Sequence, residues 1–178
     1  CTGPYSGLYR RFYRHFICVE GAMILVDDLQ AEKNGTFEWL LHMPAGMKIE
    51  EAAAEPFLFL EQAEIKLRVL HPYPEQKEYM SEQGYLTSFY RESGLEDTFP
   101  EAKYAKIRSA SEAGRIKFVS VFLLPNSEGK DWKVERSQNS DTGKKAKVPA
   151  ISIKRPEGGH IEIFVNLRAD GRVLADNS

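Results

Sequence analysis

The stretch Arg14-His15-Phe16-Ile17-Cys18-Val19-Glu20-Gly21-Ala22-Met23-Ile24-Leu25-Val26-Asp27-Asp28-Leu29 decides the fold. β-Branched and aromatic residues fill it on both sides of Glu20-Gly21. A two-residue loop of that kind closes an antiparallel hairpin. The loop sets Val19 opposite Ala22 and Arg14 opposite Asp27. Further on, Asn34-Gly35 is the strongest short-range hairpin signal. It predicts a third strand over 36–43, with Lys33 opposite Thr36 and Asp27 opposite His42. Directly opposed residues share a face. The two loops therefore predict a polar row of Arg14, Asp27 and His42 across three neighbouring strands.

Around that row both faces of the predicted sheet are apolar. One carries Tyr13, Ile17, Val19, Ile24, Val26, Trp39 and Leu41; the other carries Phe12, Phe16, Cys18, Met23, Leu25, Leu29 and Leu40. A sheet with one wet face alternates apolar and polar residues. This one reads as covered on both sides, or as facing a missing partner.

Working outward, the strand signals continue. Residues 63–70 alternate, with Ile65, Leu67 and Val69 on one face and Glu64, Lys66 and Arg68 on the other. Further strands are predicted over 57–60, 103–108, 115–124, 132–136, 150–154 and 160–165. Turn residues punctuate them, including Pro44-Ala45-Gly46 and Glu157-Gly158-Gly159. No helix longer than two turns is predicted. The expected fold is all-β, an antiparallel multi-stranded β-sandwich of the supersandwich kind. It is expected as a single domain over 1–178, an excised C-terminal portion of a larger protein. The segment 81–100, of mixed polarity, is expected as a long loop or one carrying a short helix, and the polar segment 137–147 as a loop.

Composition agrees and excludes other classes. Among 178 residues, 42% are hydrophobic and 28% charged, which is the profile of a globular chain with a core. The net charge of −2 leaves no basic footprint, so nucleic acid is not an expected partner. Lys144-Lys145-Ala146-Lys147 is too short to reverse that and reads as a solvated loop. No apolar run approaches the ~18 residues of a membrane helix, so no membrane span is expected. Two cysteines, Cys1 and Cys18, give neither a disulfide framework nor a metal spacing. Cys1 would suit a processed lipoprotein, although the strand pattern starts at once with no polar tether.

The polar row admits two readings. In one, Asp27 pairs with Arg14 and accepts from His42, because buried charges need such partners. In the other, Asp27 and His42 are ligands of a structural zinc or other divalent metal, with a third ligand upstream of Cys1. Elsewhere, His71 and His160 have no Ser, Cys or acid at a recognisable spacing. No catalytic residue is assigned within the chain. Tyr85, Phe89, Tyr90 and Arg91 form either a sugar-contacting patch or a pin for the long loop. Asn34-Gly35-Thr36 matches a glycosylation sequon that its turn chemistry already explains.

The run from Arg14 to Leu29, an Arg-bearing strand followed by an apolar strand ending in Asp, resembles part of the C-terminal β-sandwich of heparinase II/III-like polysaccharide lyases. So does the strand Phe37-Glu38-Trp39-Leu40-Leu41-His42 that follows, and so does the apolar strand from Phe118 closing in Leu123-Leu124-Pro125. The motif-level similarity covers about 30 residues and is architectural beyond them. It implies β-elimination on uronic-acid-containing polysaccharide, glycosaminoglycans among them. Tyr and His act as acid and base there, with Asn or Arg at the substrate carboxylate. It also implies an α-helical toroid upstream in the parent, with the catalytic groups upstream of Cys1. An extracytoplasmic or periplasmic place in a bacterium follows from the same resemblance. Some members hold a structural metal in this sandwich, and Asp27 and His42 are the positions that would carry it. The competing expectation is a non-catalytic carbohydrate-binding or structural docking sandwich.

Overall fold

The computed structural model describes residues 7–43, 48–51, 57–62, 65–85, 101–111, 114–123, 132–139, 148–155, 158–165 and 173–177. Cys1, Phe89, Tyr90, Arg91 and the lysines at 144–147 lie outside them, as do most of the segments 81–100 and 137–147. The described residues form thirteen strands and no helix. The strands are β1 (Tyr9–Val19), β2 (Ala22–Ala31), β3 (Gly35–Met43), β4 (Lys48–Glu51), β5 (Phe57–Gln62), β6 (Ile65–Tyr73) and β7 (Glu78–Tyr85). They continue with β8 (Glu101–Ser111), β9 (Arg115–Leu123), β10 (Lys133–Asn139), β11 (Val148–Lys154), β12 (His160–Val165) and β13 (Val173–Asn177). Every pairing is antiparallel.

Three sheets result. The first has the order β1-β2-β9-β6-β5-β4, the second β3-β8-β7 and the third β10-β11-β12-β13. The six-stranded sheet is the middle layer. Along β2, alternate side chains go to different cores. Ala22, Ile24 and Val26 join Val119, Val121, Ile151, Ile153, Ile161 and Ile163, so one face packs on the four-stranded sheet. Leu25 and Leu29 join Phe118, Phe122, Phe37, Trp39, Ala105 and Ile107, so the other face packs on the three-stranded sheet. This is why the sequence is apolar in both phases. In β9 only the first residue, Arg115, is exposed and all that follow are buried.

The hairpin at Glu20-Gly21 forms as the sequence predicts. Val19 stands opposite Ala22 and Arg14 opposite Asp27, with Gly21 at φ 75°. The second predicted hairpin does not form. β3 leaves the sheet of β2 and pairs with β8, and β9 takes the place beside β2. The type I′ turn that Asn-Gly favours requires positive φ at both central residues. Gly35 is not among the glycines with positive φ; Gly114, across the corner, is, at 62°. The β2/β9 ladder and the β3/β8 ladder are two arms of one long ribbon folded over a corner. Between Gln30↔Arg115 and Gly35↔Ser111 the β2–β3 side of the ribbon holds one residue more than the β8–β9 side, a bulge of the sort that lets strands switch sheets. Ala31 N–H donates to Gly114 O at 2.8 Å across the corner. Folding over brings Phe37 and Trp39 down onto Leu25 and Leu29, which an in-plane hairpin would leave uncovered on that side.

Candidate functional site

Of the predicted polar row, two members meet. Arg14 Nε donates to Asp27 Oδ1 at 2.6 Å and Nη2 to Oδ2 at 2.9 Å, a bidentate pair set by the β1–β2 register. Asp27 is 2% exposed, while the Arg14 side chain keeps 43% of its surface in water. His42 is not in the row. It lies on β3 opposite Tyr104, exposed, with the two rings 5.6 Å apart. Phe37 and Trp39 point inward from β3, so the alternate positions Leu40 and His42 point out, away from the layer that holds Asp27. The row fails because β3 changes sheets. Asp27 and His42 do not fit one metal ion, and among the described residues no group of three or more His, Cys, Asp or Glu could hold one.

The neighbouring Asp28 points to the opposite face of β2 and is fully buried. Arg11 Nη2 lies 3.3 Å from Oδ1, and Lys117 Nζ, also fully buried, lies 3.7 Å from Oδ2. Lys117 is the cross-strand partner of Asp28 on β9. Successive aspartates on one strand thus serve two faces, Asp27 with one cation and Asp28 with two.

A site that the sequence did not single out sits where β6 bends. β6 and β9 pair as Leu70↔Val121 and then Tyr73↔Val119, so one extra residue is inserted around His71-Pro72. Proline in an interior strand is tolerated at such a bulge because no ladder donor is required there. His71 is turned inward, 1% exposed. Its Nδ1 lies 3.0 Å from Ser120 Oγ, and its ring meets Trp39 edge-on at 4.6 Å between centroids. Its Nε2 has no hydrogen-bond partner. Burial first, and then the charge of Lys77, push the imidazole down to about 3, so it is neutral at ordinary pH. Ser120 lies 49 residues along the chain from His71, a separation that shows no pattern in sequence.

Beside this bend is a cleft of about 560 Å³. Leu70, His71 and Pro72 of β6 line it on one side, and Val134, Glu135 and Arg136 of β10 on the other. Glu75 and Lys77, from the connection to β7, complete it. Lys77 is half-buried and donates to Pro74 O at 2.7 Å. Burial and the charge of Arg136 bring its amine down to about 8, against the opposing pull of Glu75. Arg136 Nη1 is 3.5 Å from Glu75 Oε1. Glu135 is turned to Lys154, 2.7 Å away.

No protein-family model and no curated protein matches the chain. Solved structures do. A heparan sulfate lyase, HepC from Pedobacter heparinus, superposes over 98% of this chain with a TM-score of 0.66 at 9% identity. A heparinase III structure superposes over 99% with a TM-score of 0.64 at 13% identity. The chain spans about a quarter of the length of each, 25% in both cases. At these identities the likeness is one of fold. The sandwich that the sequence resemblance implies is the one the chain adopts.

Proposed function

We propose that this chain is the C-terminal sandwich domain of a polysaccharide lyase that cleaves uronic-acid-containing polymers by β-elimination, and that it does not complete the reaction alone. The observation that carries this reading is the match to heparinase folds over nearly the whole chain, together with its span of only a quarter of theirs. The motif resemblance around Arg14, Asp27 and Trp39 points the same way. The buried acids and the buried histidine of the described residues support the second clause. Asp27 is held by Arg14, Asp28 by Arg11 and Lys117, and His71 is turned to Ser120. General acid–base work needs groups free to exchange a proton within reach of the sugar, and these side chains are engaged elsewhere. In this reading the acidic polysaccharide and an upstream α-helical toroid are the partners, and the bacterial cell exterior or periplasm is the setting.

The test is to read the coding sequence upstream of Cys1 and to assay the full-length product on heparan sulfate and other uronic-acid polymers. The readout is ultraviolet absorbance of the carbon–carbon double bond formed in conjugation with the carboxylate. Growth of absorbance with the full-length protein and none with residues 1–178 is expected. Growth with residues 1–178 alone overturns the second clause. An upstream sequence that encodes no helical domain, with no activity in the whole protein, overturns the first.

A further inference from the structure

Three cations on the described surface are closely matched by carboxylates. Arg10 meets Glu32 at 2.7 Å, Arg108 meets Glu38 at 2.7 Å and Lys154 meets Glu135 at 2.7 Å. In the cleft between the β6 bend and β10 the pairing is looser than in these three. Two cations, Lys77 and Arg136, line it with two carboxylates: Glu135 is taken up by Lys154 at 2.7 Å, which leaves Glu75, 3.5 Å from Arg136. The cations reach it from different sheets, one from the connection leaving the middle layer and one from the four-stranded sheet. Lys77 directs one hydrogen to the Pro74 carbonyl and has two more to give. Arg136 has five N–H donors and one carboxylate contact. Pro72 and Val134 add apolar surface, against which the carbon face of a sugar ring packs.

We propose that this cleft binds an oxyanion carried on a sugar, a sulfate ester or a uronate carboxylate, through Lys77 and Arg136. The anion takes the place between the two cations that Glu75 only half fills, and it relieves their mutual repulsion. Charge-assisted donors of this type suit sulfate and carboxylate oxygens alike. The identity of the ligand as a polysaccharide group rests on the lyase reading; the existence of the site rests on the cleft.

The experiment is calorimetric and NMR titration of the 178-residue chain with a sulfated heparan oligosaccharide, its desulfated counterpart, a neutral oligosaccharide and inorganic sulfate. The sulfated oligosaccharide is expected to bind, moving the amide signals of 75–77 and 134–136. Lys77→Met and Arg136→Met are each expected to weaken binding about tenfold. Lys77→Arg, which keeps the charge, is expected to retain it, and Glu75→Gln to tighten it. Preference for the sulfated sugar identifies the sulfate ester as the ligand group; equal binding of the desulfated sugar identifies the carboxylate. Binding that survives the double Lys77→Met, Arg136→Met change overturns the proposal, as does equal binding of the neutral sugar or failure of every anionic probe. The lyase reading fails separately. If the full-length protein cleaves no uronic polymer while the cleft binds as expected, the site stands and that reading falls. If it cleaves while the cleft binds nothing, the reverse holds.

Discussion

Arg14 and Asp27 form one ion pair with two unequal ends. The aspartate is 2% exposed and has no route to water, whereas the arginine keeps 43% of its side chain in solvent. Removing either partner therefore has a different cost. Arg14→Ala strands a buried carboxylate, and breaking a buried pair in that way costs about 3–5 kcal/mol. Asp27→Ala leaves a guanidinium that can turn outward and rehydrate, so its cost falls to about 1–2 kcal/mol, nearer that of a lost charged hydrogen bond. Urea unfolding of the two variants checks this: Arg14→Ala is expected to be the less stable. Equal losses, or the reverse order, would refute the asymmetry.

At the level of elements, most of the strands were legible and one connection was not. β1, β2, β9 and β12 lie where alternation and turn residues put them, because strand length and residue type are local properties. Three strands, β4, β7 and β13, have no counterpart in the sequence reading; for β7, Glu78-Tyr79-Met80-Ser81-Glu82-Gln83 has neither alternation nor β-branched residues. Its place comes from pairing with β8, a non-local gain. The corner after β2 shows the same limit at Asn34-Gly35. The dipeptide permits a tight hairpin, but β9 offers β2 a ladder buried on both faces, and that competition is invisible in a local window. Asp27 and Arg14 were read correctly because a real two-residue loop joins their strands. His42 was misplaced because its register was carried across the corner. Two glycines separate the alternatives. Gly114 has φ +62°, and a Cβ there would lie 3.1 Å from Lys33 O, so Gly114→Ala is expected to cost about 1–2 kcal/mol. Gly35 has nothing within 4 Å of a Cβ and no positive φ, so Gly35→Ala is expected to be neutral or to stabilise by about 0.5 kcal/mol. Thermal melts of both proteins decide the matter. A severe loss from Gly35→Ala would restore the tight hairpin and with it the row through His42.

For the whole molecule, the three-layer arrangement makes a claim that a two-layer sandwich does not. In two layers, successive residues of a strand alternate between core and water, so one of any adjacent pair is cheap to truncate. In the middle sheet here, Phe122 faces the three-stranded layer and Leu123 faces the four-stranded layer, 7% and 1% exposed. Phe122→Ala is therefore expected to cost about 3–5 kcal/mol and Leu123→Ala about 2–5 kcal/mol, each by leaving a cavity in a different core. Because both cores are anchored on the same strands, β2 and β9, the two variants should lower one shared unfolding transition instead of splitting it. Far-ultraviolet circular dichroism and tryptophan fluorescence give independent views of that transition. Trp39 reports on the core that loses Phe122 and Trp132 on the core that loses Leu123. Coincident curves in both variants support a middle layer shared by two cores. A Leu123→Ala protein as stable as the parent would show that the four-stranded sheet does not cover this face. Two separated transitions would show that it covers the face without folding as one unit with the rest.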